Sequence, residues 1–240
     1  MSKLIMVRHG QASFGAGNYD KLSDKGIAQS VALGEHWARR GRQLDAVFSG
    51  GLERQVHTLR AVRDVYQRQG RAFPEARVLE AFNEYDSDGI MRHFLPALLE
   101  REPEVREGME RINREGVASP AGKKAFQKVF QIVMDRWLRG EGEAEGVESW
   151  QGFRDRVLGG IRTVLDAFPS GRTVAVFTSG GPVSAVMQHA LKIPDREALD
   201  LGWIIKNGSL TEFRYSGDRF TLTGFNLVPH YEHEDMITYR

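Results

Sequence analysis

Cysteine is missing from this chain of 240 residues. Its absence excludes disulfides, thiolate metal sites and cysteine nucleophiles, and fits a reducing compartment. Long apolar runs are missing too: none approaches the roughly 20 residues that span a bilayer. Neither charge dominates. With 33 Lys and Arg against 32 Asp and Glu, the net charge is +1, so no broad field draws the chain to nucleic acid or to an anionic membrane. The N-terminus runs Met1-Ser2-Lys3 straight into an apolar stretch, which leaves no room for a signal peptide. No internal repeat is evident. The expectation is a cytoplasmic protein that binds a small molecule, with no nucleic-acid or membrane partner and an open oligomeric state. Its length suits one large domain or a domain with a sizeable insertion.

What is present starts at Leu4-Ile5-Met6-Val7, a short apolar run that reads as a buried strand. It ends abruptly in Arg8-His9-Gly10. Residues at the carboxyl end of a buried strand sit where open α/β sheets place their sites. The segment Gln11 to Asn18 is rich in glycine and small polar residues and reads as a loop that approaches a ligand, with Gln11 and Ser13 as its candidate contacts. A helix follows from about Ser23, a good N-cap, to about Arg40, with Ile27, Val31, Gly34 and Ala38 along one face. Asp45 to Phe48 is the second strand. Ser49-Gly50-Gly51 turns into a helix opening at about Leu52, whose stripe is Leu52, Val56, Leu59, Val62, Val65 and Tyr66. Val78-Leu79 marks a third strand, followed by Phe82-Asn83-Glu84.

From about 87 to 149 the pattern changes to charge-dense helix. Met91, Phe94, Leu95, Leu98 and Leu99 form one packing stripe. Phe126, Val129, Phe130, Val133, Met134 and Trp137 form another. Arg101, Arg106, Arg111, Arg114, Lys123 and Lys124 are interleaved with glutamates and read as a solvated face. Gly140 to Gly146 is an acidic loop. The α/β pattern then returns: a helix from Trp150 to Phe168, the strand Thr173 to Phe177, and Thr178-Ser179-Gly180-Gly181-Pro182 leading into a helix through Leu191. Asn207-Gly208 signals a hairpin between 203–205 and 210–213. Arg219 to Gly224 is a further strand, and Pro229 to Arg240 a polar surface tail.

Three strand ends share one design. Val7 leads into Arg8 and His9. Phe48 leads into a glycine turn with Arg54 in the first turn of the helix beyond. Phe177 leads into Ser179-Gly180-Gly181 and another helix. If the strands are parallel neighbours, the loops converge on two arginines, one imidazole and two sets of backbone amides, an arrangement suited to a phosphate dianion. Glu84 is placed to donate a proton to a leaving oxygen.

These blocks, Val7-Arg8-His9-Gly10, then Ser49 to Arg54 with Thr58, then Asn83-Glu84, then Val176 to Gly181, resemble the histidine phosphatase superfamily, the phosphoglycerate mutase-like phosphatases. They occur in that family's order, and the insertion at about 87–149 falls where the family carries its variable cap. The resemblance implies a three-layer α/β/α core with a mostly parallel sheet. No cofactor is expected, and no metal, since the arginines already neutralise a phosphate. It implies His9 as the nucleophile that becomes phosphohistidine, Arg8 and Arg54 as phosphate ligands, and Glu84 as general acid.

Two positions depart from the family pattern. Ser179 stands where the second active-site histidine precedes the two glycines, so a hydroxyl dipole replaces a charged donor beside Gly180. Gly15 stands where many members have asparagine. Three functions stay open: a metal-independent phosphomonoesterase, a mutase-type phosphoryl transferase, and a phosphate-binding or regulatory protein with little turnover. His57, on one helix face with Arg54, reads as structural, as do His36, His93 and His189. His230 and His233 lie in the tail, where folding back would bring an imidazole to the gap left at 179. Asp86 and Asp88 near Glu84 do not make a metal cluster.

Overall fold

The computed structural model describes residues 1–13, 20–141 and 146–239. The expected residues Phe14 to Asn18, with Gly15 among them, and most of the acidic loop lie outside the described residues. The described chain forms two compact units, one of residues 1–84 and 155–240, the other of 85–154. Among the described residues no helix is long and apolar enough to cross a membrane.

The first unit is built on a six-stranded sheet. In chain order the strands are β1 (Ser2–Arg8), β2 (Ala46–Ser49), β3 (Ala76–Val78), β4 (Thr173–Thr178), β5 (Leu210–Ser216) and β6 (Arg219–Leu227), arranged β3-β2-β4-β1-β5-β6. The first four in that arrangement run parallel; β5 and β6 are antiparallel to their neighbours. β4, latest of the parallel strands in sequence, is inserted between β2 and β1. The register Arg8↔Thr178 and Ser49↔Phe177 therefore brings three strand ends side by side.

The apolar runs behave as their patterns require. Leu4, Ile5, Met6 and Val7 are all buried, as are Val174 to Phe177, which is what a parallel sheet covered on both faces demands. Helix α1 (Asp24–Arg39) and helix α2 (Glu53–Arg68) pack on it through Leu33, Trp37, Leu59, Val62, Val65 and Tyr66. Trp37 meets Phe177 edge-on, ring centroids 6.3 Å apart. Fully burying each such side chain contributes about 1.5–3 kcal/mol. The α1 stripe is rotated from the expected one: Ile27 is exposed, while Ser30, Leu33 and Trp37 face inward with Gly34 and Ala38. Tryptophan buries far more apolar area than isoleucine or valine, so Trp37 sets the helix's rotation.

Two further corrections concern the last third of the chain. No hairpin forms across Asn207-Gly208. Trp203 and Ile204 instead end helix α8 (Asp195–Ile204), which follows α7 (Gly180–Leu191). β5 takes β1 and β6 as its partners. The turn that Asn-Gly supplies, with Gly208 at φ 70°, serves the end of β1. Nor is the tail a loose surface segment. Thr238 O accepts from Asn207 N at 2.8 Å, and Gln29 of α1 donates to Met236 O at 2.7 Å and to Thr238 Oγ1 at 2.9 Å.

The second unit is helical: α3 (Ser87–Arg101), α4 (Pro103–Glu115), α5 (Pro120–Leu138) and the start of α6 (Trp150–Ala167), which carries the chain back into the first unit. Asp86 caps α3 by accepting from Gly89 N at 2.9 Å. Phe94 and Leu98 of α3 and Val129, Phe130, Val133, Met134 and Trp137 of α5 are buried. Tyr85, Trp137, Trp150 and Phe153 close into an aromatic cluster, with Tyr85 and Trp137 centroids 5.0 Å apart.

Candidate active site

His9 leaves β1 beside Ser179 leaving β4. The backbone there is tightly packed. His9 N donates to Thr178 O at 2.8 Å, and His9 O accepts from Gly208 N at 3.1 Å. Gly10 has no room for a side chain, because a Cβ would collide with the Gly26 carbonyl in the first turn of α1. Glycine is required at this exit by close approach. Gly10 N in turn donates to Thr58 Oγ1 at 3.0 Å, whose hydroxyl donates to Arg54 O at 2.8 Å. The buried threonine of α2 thus ties the His9 turn to the helix that carries Arg54.

The imidazole's tautomer follows from its partners. Nδ1 lies 2.7 Å from Gly10 O. A carbonyl can only accept, so Nδ1 carries the proton and Nε2 keeps its lone pair. Arg54 Nε donates to that Nε2 at 3.2 Å. Burial first, then Arg54, then Arg8, hold His9 well below its ordinary pKa. The ring is only 5% exposed. An imidazole with its proton on Nδ1 and its Nε2 lone pair turned to a guanidinium is the form a nucleophile needs once that contact passes to a phosphoryl oxygen.

Arg54 sits in the first turn of α2. Its Nη1 pairs with Asp20 Oδ1 at 2.5 Å, while the other oxygen of Asp20 accepts from Glu53 N at 2.7 Å. Asp20 therefore orients the guanidinium and satisfies an amide at the start of α2. Arg8 Nη1 donates to Ile205 O. The Arg8 guanidinium also faces the start of α7: a Cβ on Gly180 would lie 3.8 Å from Arg8 Nε. Glu84 meets the same helix start, its Oε2 accepting from Gly181 N at 3.1 Å. The turn that delivers Glu84 is a 3-10 segment, Glu80–Phe82, clamped by Arg156 Nη1, which donates to the carbonyls of Glu80, Ala81 and Asn83 at 3.0–3.2 Å.

Ser179 is fully buried, and its Oγ accepts from Gln55 Nε2 at 2.8 Å. Gln11 turns toward the start of α1: its N donates to Gln29 Oε1 at 2.8 Å and its Oε1 accepts from Ser23 Oγ at 3.0 Å. Ser13 N donates to Lys21 O at 2.7 Å. The described contacts thus gather Arg8, His9, Arg54, Glu84, Ser179 and Gly180, whereas those of Gln11 and Ser13 run to α1 and the loop before it. His57 is one-third exposed, 3.6 Å from Glu53. His230 is buried against His36 and Tyr231, ring centroids 6.3 and 4.3 Å away, and beside Gly208. His233 is exposed.

Three participants escaped the sequence reading. Asp20 carried no signal beyond being a single acid in a polar loop. Gln55 is the third residue of α2, where glutamine commonly reaches back to the helix start, and that spacing was available. Asn207 signals only a turn in the sequence, although its Nδ2 lies 3.4 Å from His9 O.

Both the sequence and the fold have counterparts among known proteins. The chain matches the histidine phosphatase superfamily (branch 1) over residues 4–115 and 116–228. Among solved structures it is similar to a mutant phosphoserine phosphatase from Entamoeba histolytica in complex with phosphoserine, at 15% identity and TM-score 0.62, covering 96% of this chain and 99% of that one. A putative alpha-ribazole-5'-P phosphatase from Escherichia coli matches at 20% identity and TM-score 0.64, covering 95% and 97%. A phosphoglycerate mutase from Bacillus anthracis matches at 15% and 0.62, covering 95% and 94%. At such identities the structures speak for the fold, while the family match spans nearly the whole chain: it belongs to the histidine phosphatase superfamily.

Proposed function

We propose that this protein is a metal-independent phosphomonoesterase acting through a phosphohistidine on His9. The observation that carries the reading is the placement of the His9 imidazole: Nδ1 donates to Gly10 O, Nε2 faces Arg54, and burial with the two arginines holds its pKa well below the ordinary value. The Nε2 lone pair gives up its contact with Arg54 Nε, which passes to a phosphoryl oxygen, and attacks phosphorus in line. The bond from phosphorus to the leaving oxygen breaks, and Glu84 supplies the proton that oxygen takes. Arg8, Arg54 and the amides opening α7 hold the remaining oxygens through a loose transition state. Water then attacks the phosphohistidine and gives its proton to the Glu84 carboxylate. The N–P bond breaks, and inorganic phosphate leaves.

A small-molecule phosphomonoester is the substrate class: the polar groups that the described residues gather at His9 suit one phosphoryl group. A second reading has one observation in its favour. Ser179 supplies no charge and is engaged by Gln55; lacking one preorganised charged donor costs about 10²–10³ in rate. That favours a slow enzyme or a phosphate-binding protein over a fast one.

The test is brief incubation with a labelled aryl phosphate. An acid-labile, base-stable phosphoenzyme that disappears in His9→Ala supports the mechanism. Steady turnover then separates an enzyme from a phosphate binder. His9→Ala with near-wild-type turnover would overturn the reading.

A further inference from the structure

Gln55 is fully buried, and each polar atom of its side chain is committed. Its Oε1 accepts from Leu52 N at 3.3 Å; its Nε2 donates to Phe82 O at 3.0 Å and to Ser179 Oγ at 2.8 Å. Leu52 N can only donate and Phe82 O can only accept. The amide therefore has one permitted orientation, since the flipped one would set donor against donor and acceptor against acceptor. Gly50 confirms how closely this amide lies on the loop: a Cβ there would collide with Gln55 Oε1 and stand 2.8 Å from Phe82 O.

The consequence for Ser179 is definite. It is an acceptor toward Gln55, its side chain does not cap α7, and no surface of it is open to a ligand. The hydroxyl is one end of a bridge. The other end is Phe82 O, which also accepts from Thr178 Oγ1 at 2.7 Å and lies two residues before Glu84. The bridge thus joins the N-cap of α7 to the turn that delivers Glu84, the residue whose carboxylate meets α7 at Gly181. Next to it in sequence, Arg54 engages His9. Consecutive residues of one helical turn govern both strand ends.

Resting on the phosphoryl-transfer reading of this pocket, we infer that Gln55 is a positioning residue, and that Gln55 and Ser179 form one neutral unit standing where the family's second active-site histidine would stand. The unit does not touch the phosphoryl group. It fixes Glu84 and the opening amides of α7 relative to His9. Gln55 also fills the room an imidazole at 179 would need, so the two positions change together or not at all.

The experiment compares wild type, Gln55→Ala, Ser179→Ala, Gln55→Ala/Ser179→Ala, Ser179→His and Gln55→Ala/Ser179→His, using an alkyl and an activated aryl phosphate and, separately, calorimetric titration with inorganic phosphate. Gln55→Ala is expected to lower kcat on the alkyl ester about 100-fold, the scale of a misplaced catalytic group, and on the aryl ester only a few-fold, because that leaving group needs little protonation. Ser179→Ala costs a few-fold alone and nothing more on the Gln55→Ala background. Ser179→His alone is worse than wild type, and adding Gln55→Ala to it restores turnover and phosphate affinity. Equal losses on both esters, or additive effects of Gln55→Ala and Ser179→Ala, would overturn the inference. If wild type hydrolyses neither ester, the functional reading fails. The pairing is then judged by phosphate affinity alone, where non-additivity supports it and additivity refutes it. Should Gln55→Ala not fold, Gln55→Glu, of similar size but without the amide hydrogens, takes its place in the comparisons with wild type and Ser179→Ala with the same expected pattern, and, leaving no room at 179, it does not restore Ser179→His.

Discussion

Replacing Arg54 by alanine strikes the site in two separable ways. The first is the loss of a charged donor at the transferring group. Removing one preorganised donor typically costs about 10²–10³ in kcat, equivalent to about 2.7–4 kcal/mol. The side chain is held on Asp20 at 2.5 Å, while its Nε contact with His9 Nε2, 3.2 Å, passes to a phosphoryl oxygen as Nε2 attacks phosphorus, so a loss within that range is expected. The second effect is on the nucleophile. Burial is the largest cause of the lowered His9 pKa, with Arg54 next and Arg8 after it. Taking away a neighbouring cation raises the pKa of an imidazole, so His9 in Arg54→Ala titrates at higher pH than in wild type while staying below its ordinary value. Neutral His9 is the reactive form, and the acid limb of the phosphorylation rate moves up with it.

Rapid-quench single-turnover phosphorylation between pH 4.5 and 8 reads both effects. Wild type should show no limb from His9 near pH 6.5, where an unperturbed histidine titrates. Arg54→Ala should be slower by at least 100-fold at pH 7.5, with its limb displaced toward 6.5. A loss below tenfold would show that Arg54 is not a phosphoryl ligand. An unmoved limb would show that it does not hold the His9 pKa down.

Two further outcomes follow from the same geometry. Glu84→Gln should cost an alkyl phosphate far more than an activated aryl phosphate, on the order of 10²-fold against a few-fold, in steady-state assays of both esters; equal losses remove Glu84 as the proton donor. Acid should destabilise the protein through His230, whose pKa burial lowers to about 3. The folded pKa lies below the unfolded one, so the unfolded chain binds the extra proton, and this stability is present above about pH 6.5 and lost as pH falls toward 3. Between pH 6.5 and 5 the loss is about 2 kcal/mol, and His230→Leu should flatten the pH dependence of urea unfolding by that amount; an unchanged slope contradicts the assignment.

The fold was legible where burial writes a period into the chain. Leu4 to Val7 and Val174 to Phe177 are continuous apolar runs because both faces of their sheet are covered, and no other element satisfies such a run in so few residues. His9, Arg8 and Arg54 were legible because strand ends and helix starts are marked by glycine. What could not be read were groups whose task is to hold another group. Asp20, Gln55 and Asn207 are polar residues in polar stretches. Their roles arise from partners 34, 124 and 198 residues away, a separation that no local pattern records. Ser179 shows the limit from the other side. Its place in the sequence pointed to the phosphate, but its hydroxyl is taken by a glutamine that lies far off in the chain.

The C-terminal tail makes the same point about the nucleophile. A reactive imidazole must be fixed from behind, because its front has to stay open to phosphorus. The His9 carbonyl is held by Gly208 N and approached by Asn207 Nδ2. Asn207 is itself held by the tail: Thr238 Oγ1 donates to its side-chain oxygen at 2.9 Å, Tyr231 Oη donates to its carbonyl at 2.6 Å, and its N–H reaches Thr238 O. Gln29 then joins Thr238 to Gln11 N, two residues past His9. The loop closes on itself, from His9 through the 207–208 turn, the tail and α1 and back to the exit of β1. Hydrogen bonds in such a closed, partly buried ring reinforce one another, and each removed partner exposes the next. Tyr231 and Thr238 supply this support from a tail whose residues Glu232 to Asp235 stay exposed, and polarity without a period is the pattern that also marks a loose terminus. Composition cannot separate the two cases; only the distant partners can.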